Sequence, residues 1–417
     1  MFPSKAQRTK TRIPVARIVC GGVLMGLSIN AYSQQWKFEP VLSLTAESND
    51  NVGLAPDAPD EIDSLLFAVD ANGRFVRRSQ TGEVRIAPRI RSTVYEASGL
   101  DNTNDLFLDF FAGKNLERGR YGVQARISQE SILTAELDDP DFDNPDVNQP
   151  VNLDTGRILP GIERDLFIIS PYLSRELSET VGFNINLDYI DVAYDEDRLN
   201  LNDYTDATVY AGLSFQVSDR SSWSIEVLAS DYEADDGMDR SESDSVGASV
   251  EFEHSFSPTV EGRISVGYED VNSDDTTGSL TVSESYGVTL FSAGLTKEGE
   301  VSRLVLDAGQ TVDPGGTGFM QERSQLRMRY TRQLSPTVYG NFDARVQRTD
   351  ELSAQGTDIS RDFLSFGVGA EWRLSRIWSF RGDYVFIDQE FDQAFGVGSA
   401  SSNRVSVSIV YDPARAR

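Results

Sequence analysis

The chain has 417 residues, with 38 Lys and Arg against 66 Asp and Glu and a formal net charge of −28. Such an excess of acid excludes duplex nucleic acid as a partner, because phosphate binding relies on clustered Lys and Arg. The only cysteine, Cys20, and the only histidine, His254, exclude a disulfide framework, a Cys/His zinc centre and a Cys–His nucleophile pair.

The N-terminus reads as a secretory signal. Lys5, Arg8, Lys10, Arg12 and Arg17 form a basic region, Ile18 to Ile29 form a short apolar run, and Ala31-Tyr32-Ser33 is a small-x-small cleavage site. Residues 1–33 are therefore expected to be removed, with the mature chain beginning at Gln34 and forming one domain to residue 417. The apolar run is too short to span a bilayer as a helix, and no later run reaches 18 apolar residues.

Beyond Gln34 the apolar period is two. Val181, Phe183, Ile185, Leu187 and Tyr189 alternate with Gly182, Asn184, Asn186 and Asp188, and Val405, Val407 and Ile409 alternate with Ser406 and Ser408. In chain order such segments cover 36–46, 63–75, 83–95, 105–114, 120–130, 164–174, 181–190, 205–216 and 222–231. They continue over 244–254, 260–269, 284–295, 301–309, 322–333, 338–348, 362–373, 378–388 and 402–412. Each is near the ~9–11 residues that a tilted membrane strand needs.

The links between segments alternate in length. The long ones are acidic, as in "SNDNVGLAPDAPDE", "DVAYDEDRLNLND", "DYEADDGMDRSES", "EDVNSDDTTGS" and "RTDELSAQGTDIS". The short ones repeat a corner: "SRELSETVGF" at 174–183, "FQVSDRSSWS" at 215–224, "EHSFSPTVEG" at 253–262, "RQLSPTVYG" at 332–340 and "WRLSRIWSFRG" at 372–382. Short periplasmic turns, long extracellular loops and an even strand number are the pattern of a bacterial outer-membrane barrel. A soluble propeller or sandwich does not require that alternation. The expected fold is all-β: a transmembrane antiparallel up-and-down barrel of about 18 strands. Pro40, Pro88 and Pro171 fall inside segments, where each removes a ladder donor, and this leaves 16 strands open. Aromatics gather near segment ends, among them Trp36, Trp223, Trp372, Trp378, Tyr189, Tyr268, Tyr384 and Tyr411, as expected at a lipid–water interface.

"WKFEPVLSLTAESNDNVGL" at 36–54 carries an apolar-x-Pro-x-apolar strand, through Phe38, Pro40, Leu42 and Leu44, into the Asp/Asn-rich stretch Asp50-Asn51-Val52. With the closing "SSNRVSVSIVYDP" and the repeated corners, it resembles the putative β-barrel porin family of Gram-negative bacteria. The chain departs from many outer-membrane barrels in continuing past the last aromatic, Tyr411, to Arg417. The resemblance implies an outer-membrane location and a pore-like barrel linked to exopolysaccharide production and export.

The alternation places arginines on the inward face. Arg85, Arg89 and Arg91 oppose Val84, Ile86 and Ile90, and Arg323, Arg327 and Arg329 oppose Leu326, Met328 and Tyr330. Arg126, Arg345, Arg373, Arg381 and Arg404 fall on the polar face too, with the carboxylates Asp109, Asp188, Glu226, Glu251, Asp343 and Asp383. An Arg on the lipid face near the midplane costs about 2–4 kcal/mol, which favours the inward assignment. The wall is either a solvated salt-bridged lining or a path for anionic or hydroxyl-rich solutes, since rings of charge tune pores.

The longest link, residues 131–163, is the third extracellular loop. By analogy with porins it either folds inward as a constriction, bringing Glu136, Asp139, Asp141, Asp143 and Asp146 opposite the arginines, or stays outside. Asp138 accompanies them. Asp139-x-Asp141-x-Asp143 lacks the glycine and distal glutamate of an EF-hand, so weak collective binding of divalent cations is expected rather than a dedicated metal site. His254 lies beside the "SFSPT" corner on the expected periplasmic side, which leaves no Ser–His arrangement on the outer side and no enzyme reading; no cofactor is implied.

Three functions stay open: a channel passing envelope or exopolysaccharide material, a diffusion porin for small solutes, and a plugged structural or adhesive barrel. Expected partners are outer-membrane lipids and lipopolysaccharide, a polysaccharide or small anionic solute, divalent cations, and further copies of the chain in a homo-oligomer.

Overall fold

The computed structural model describes residues 36–55, 61–137, 161–195, 201–235, 239–353, 360–393 and 396–416. The expected signal segment, 1–33, lies outside them. Eighteen strands follow one another. They are β1 (Lys37–Asn49), β2 (Ser64–Arg78), β3 (Gly82–Tyr95), β4 (Thr103–Leu116), β5 (Gly119–Ser131), β6 (Glu163–Glu176), β7 (Val181–Tyr194), β8 (Asp203–Ser218) and β9 (Ser221–Asp235). The second nine are β10 (Asp239–Ser257), β11 (Val260–Thr277), β12 (Leu280–Glu298), β13 (Ser302–Pro314), β14 (Met320–Ser335), β15 (Val338–Leu352), β16 (Ser360–Arg373), β17 (Trp378–Gln393) and β18 (Gly396–Tyr411). A one-and-a-half-turn helix, α1 (Ile132–Leu137), leaves β5, and a 3₁₀ turn, Pro413–Ala416, follows β18.

Every strand pairs antiparallel with its neighbours in sequence, and β1 pairs with β18 from Leu42↔Tyr411 to Asn49↔Arg404, which closes the sheet. Thr45 and Ser408 hydrogen-bond through their hydroxyls across that seam at 2.8 Å. Closure leaves no edge inside the hydrocarbon, where an unpaired backbone group costs several kcal/mol. The side-chain alternation follows from the pleat. On β18, Val405, Val407 and Ile409 are exposed on the outer face, while Ser402 and Ser408 on the other face are buried. The same outward row continues through Leu42 and Leu44 on β1, Leu65, Phe67 and Val69 on β2, Ile225 and Val227 on β9, and Val250 with its partner Val266 on β10 and β11.

An apolar belt of this kind around a closed barrel is a lipid-facing surface, and the chain is an outer-membrane β-barrel. Among the described residues no helix is long and apolar enough to cross a membrane; the strands do it instead. All four tryptophans, Trp36, Trp223, Trp372 and Trp378, are exposed near the same end of the barrel, the end that carries the short corners. There Trp378 packs on Tyr411 (ring centroids 5.0 Å apart) and Trp223 on Phe252 (4.7 Å). Amphipathic rings at one rim mark a membrane–water interface.

The corner repeats for two reasons. Its serine accepts backbone N–H groups of the turn: Ser178 from Val181 at 3.0 Å, Ser335 from Val338 at 3.1 Å, Ser375 from Trp378 at 3.1 Å. Ser218 and Ser257 accept from Arg220 and Thr259, both at 3.3 Å. The apolar residue before each serine points outward: Leu177, Val217, Phe256, Leu334 and Leu374 are each more than half exposed. At three corners this residue is the one the ladder skips, between Gln216 and Ser218, Ser255 and Ser257, and Gln333 and Ser335. A bulge satisfies the turn while leaving a hydrophobic anchor at the rim.

The three prolines do not reduce the strand count. Pro40 lies on β1 below the residues that meet β18, so its missing donor costs no bond at the closing seam. The β2–β3 ladder is interrupted between Asn72↔Arg89 and Phe75↔Ile86, around Pro88, and the β6–β7 ladder between Ile169↔Tyr189 and Tyr172↔Asn186, around Pro171. Pro88 and Pro171 each sit in a local break of a ladder that resumes on either side.

Two acidic stretches read as loops are largely strand. β10, β11 and β12 run 19, 18 and 19 residues, and the link between β11 and β12 is only Gly278 with Ser279. Above the apolar belt the outer face stays exposed, while the inner-face serines are buried and hydrogen-bonded, Ser241 to Asp275 at 2.7 Å and Ser243 to Ser273 at 2.9 Å, so polar residues extend the ladders without leaving a buried group unsatisfied. We expect Val250→Arg, near the middle of the belt, to lower unfolding free energy in lipid by about 2–4 kcal/mol. Ser249→Arg, one residue away on the inner face, should cost less than half as much, as read from reversible urea unfolding in vesicles.

Candidate functional site

Because β18 pairs with β1, strands β14–β18 and β1–β6 form one continuous arc, and it carries the arginines. Arg89 meets Asp70 at 2.5 Å, Arg126 meets Asp109 at 2.7 Å, Arg329 meets Asp343 at 3.1 Å and Arg404 approaches Glu47 at 3.8 Å. Arg85 lies over Phe111 with 5.3 Å to the ring centroid, and Arg89 over Phe107 at 5.1 Å. Arg91 stands in register with Asp70 and Asp105, Arg327 with Arg345 and Asp307, and Arg381 with Glu371 and Ser408. All eight expected pore-lining arginines thus share the face of these partners, opposite the lipid-facing rows. They do not act alike. Arg323 is buried with Asp313 at 3.5 Å, a structural pair, whereas Arg329 and Arg126 stay partly open to the lumen.

The facing arc, β7–β12, is acidic. Asp188, Asp206, Glu226, Glu251 and Glu269 fall on its inner face by register, the first two beside Thr208 and the last beside Gly247. Three basic residues occur in these six strands. Arg240 is taken up at the extracellular tip by Glu233 (3.0 Å) and Glu242, Lys297 lies on the outer face opposite Leu304, and Arg263 is held by Asp307 at 2.9 Å. The lumen is therefore polarised across its width, arginines with carboxylate partners on one side and carboxylates with few cations on the other.

Along its length the lumen changes from wet to dry. Towards the extracellular end, inward side chains form two apolar clusters. One joins Leu166 and Ile168 (β6), Ile190 and Val192 (β7), Tyr232 (β9) and Met320 (β14); the other joins Val52 and Leu100 from the first two extracellular links with Phe363 (β16) and Ile387 (β17). Helix α1 contributes to both, Ile132 to the first and Leu133 to the second. The third loop thus starts inside the barrel, and it ends there as well, since Ile162 accepts a backbone hydrogen bond from Ile132 at 3.0 Å. Buried Asp105 anchors it, accepting from Ser131 N–H and from the Thr134 hydroxyl, both at 2.8 Å. The buried pair Arg164–Glu130 (2.8 Å) lies beside it. The link after β13 also bends in: Tyr232 donates to Gly315 O at 2.8 Å, and Asn202 to Thr317 O at 3.1 Å.

Of the expected constriction residues, Glu136 falls on α1, while Asp139, Asp141, Asp143 and Asp146 lie outside the described residues, as does the Asp-x-Asp-x-Asp stretch. The apolar mouth was not anticipated, although it has a sequence signal. Where a strand is dry on both faces the period of two disappears, as in Leu166-Phe167-Ile168-Ile169 on β6 and Val288-Thr289-Leu290-Phe291 on β12. His254 sits at the periplasmic end as expected. Its Nδ1 lies 2.9 Å from the Ser221 hydroxyl, and Phe252 and Phe256 flank its ring; among the described residues no carboxylate orients it.

A comparison with protein-family models gives no match, and one with curated proteins gives none. Solved structures similar to this chain include OccK2 (OpdF) of Pseudomonas aeruginosa, at 10% identity over 90% of this chain and 98% of that one, with a TM-score of 0.43. OccAB3 of Acinetobacter baumannii is similar at 12% identity over 90% and 99%, with a TM-score of 0.44. The ferric-catecholate import receptor Fiu of E. coli K12 gives 6% over 89% and 81%, with a TM-score of 0.43.

Replacing Asp105 by Ala leaves the Ser131 N–H and the Thr134 hydroxyl buried without their acceptor. The expected cost is about 1–3 kcal/mol, borne by the third loop. Limited proteolysis of the folded barrel from the extracellular side should then cut within residues 131–162 at least several times faster than in the unmodified protein.

Proposed function

We propose that the chain is an outer-membrane channel for small solutes, drawn along the arginine arc and limited by a narrow outer mouth. The observation that carries this reading is the separation of charge across the lumen. A strictly structural wall has no need to gather its arginines on β14–β18 and β1–β6 and to leave β7–β12 rich in carboxylates and poor in cations. Such a transverse field orients a dipolar or anionic solute and favours it over a neutral one of the same size. Eighteen strands enclose a bore wide enough for water once the mouth opens.

A second reading, the plugged or adhesive barrel, is favoured by a different observation, the apolar packing of the extracellular mouth. Passage of envelope polysaccharide, which the family resemblance implies, needs a continuous hydrated bore, and the same dry mouth weighs against it. In its favour stand the arginine–aromatic pairs of the wall, Arg85 on Phe111 and Arg373 on Tyr339, surfaces of the kind on which sugar rings stack.

Planar-bilayer recording of the refolded barrel under a salt gradient decides among them. The channel reading predicts steady conductance with anion preference. Arg327→Ser with Arg329→Ser should reduce that preference by about half or more while the barrel keeps its fold. Arg323→Ser should act differently, leaving Asp313 buried without its partner and lowering stability by about 3–5 kcal/mol. Absence of conductance from a correctly folded barrel supports the plugged reading instead.

A further inference from the structure

At the periplasmic end of the arginine arc a recess opens between β2, β3 and β4. It is lined by Arg74, Val76, Arg78, Glu83, Arg85 and Phe111. Two of its cations are spent locally: Arg74 binds Glu39 at 2.6 Å and Arg78 binds Glu83 at 2.8 Å. Arg85 is not. Among the described residues its contact is the face of Phe111, and no carboxylate reaches it. Its neighbours along the wall, Arg89 and Arg126, are both ion-paired. The register adds a second cation. Val76 is the direct partner of Lys37 on β1 and of Arg85 on β3, so the three side chains share one level and one face. Lys37 is exposed and likewise meets no carboxylate among the described residues. Four basic and two acidic groups thus surround Val76, an excess of two positive charges over a buried apolar floor with an aromatic wall.

We infer that this recess binds a small organic dianion, two anionic heads carried on a short apolar or ring-shaped body. Lys37 and Arg85 stand two strand spacings apart, about 10 Å between their backbones, and both side chains are long enough to converge. One head is met by the Arg85 fork, which matches a carboxylate in two parallel hydrogen bonds, and the other by the Lys37 ammonium. The body lies over Val76 and against Phe111. A monoanion satisfies only one of the two cations, and a dianion without an apolar body forfeits the floor and the wall. Placed at the inner mouth of the lumen, the site would hold a solute at one end of its path, so the inference rests on the channel reading for its physiological role but not for its chemistry.

The test is calorimetric titration of the folded protein in detergent micelles with terephthalate, with benzoate and adipate as comparison ligands. The expected result is saturable one-to-one binding of terephthalate, with benzoate and adipate each weaker by about tenfold. Arg85→Ser and Lys37→Ser should each weaken terephthalate by about tenfold, the scale of one charge-assisted hydrogen bond. Lys114→Ser, at similar depth on the outer face of β4, should leave it unchanged. Equal binding of terephthalate and benzoate, or affinity unaltered in Arg85→Ser and Lys37→Ser with the barrel fold intact, overturns the proposal. Conductance separates the two readings. A conducting barrel that does not bind terephthalate removes this site alone, whereas a barrel that binds it without conducting removes the channel reading alone.

Discussion

In hydrocarbon every backbone N–H and C=O must find its partner within the protein, and from this the rest of the molecule follows. An open sheet cannot meet the condition, so β1 must reach β18 and the strand number must be even with both ends on one side of the membrane. Closure then assigns faces. Each strand shows one row of side chains to lipid and one to the lumen, and an arginine on the lipid row is costly enough to settle which row is which. The positions of Arg85, Arg89, Arg91, Arg327 and Arg329 are consequences of closure before they have anything to do with transport.

The same condition explains how the two ends differ. At the periplasmic rim the chain must turn in two to four residues, and a serine whose hydroxyl takes up the turn's N–H groups makes this possible without helix or loop. The apolar residue that precedes it, set outward by a bulge at three corners, gives the rim a foothold in lipid. At the extracellular end there is no such limit on length. The chain there either extends the ladders beyond the bilayer, as β10–β12 do, or folds back over the bore, as α1 and the link after β13 do.

Much of this was legible in the sequence because lipid enforces a simple rule. Period two with polar and apolar rows pointed to about eighteen strands, with sixteen left open, and to the inward arginines, and the corner repeat indicated which links were short. The rule stops where the lumen dries out. Leu166 and Ile168 face inward, yet alternation alone would place apolar side chains on the lipid row, and only the uninterrupted run Leu166 to Ile169 betrays burial on both faces. The pairings were beyond reach for another reason. That Arg323 serves Asp313 inside the wall while Arg85 rests on Phe111 depends on cross-strand register, which one residue of slip would change and which no local pattern encodes. The polarised lumen needed the closing seam as well, since its basic arc is assembled from the first six strands and the last five.

In the proposed channel, the charge distribution and the dry mouth together constrain what can pass. A pair such as Arg126–Asp109 in a solvated wall is screened and exchanges partners at little cost, so a passing anion can substitute for Asp109 without leaving a charge stranded. Arg164–Glu130 and Arg323–Asp313, both buried, cannot make that exchange, because parting them strands a charge away from water. The wall is thus permissive where it is wet and rigid where it is dry. The dry layer coincides with the segments that enter the bore from outside: the Val52 link, α1, and the turn at Gly315. A solute crossing the proposed channel would have to displace those segments from one another while the barrel beneath them holds still. Asp105 lies at the junction of the two regimes: it is fixed to β4 at one end and tied to the first residues of the third loop at the other. Opening the mouth therefore means working against these hydrogen bonds and the apolar contacts of Ile132 and Leu133, and leaves the ladders of the barrel intact.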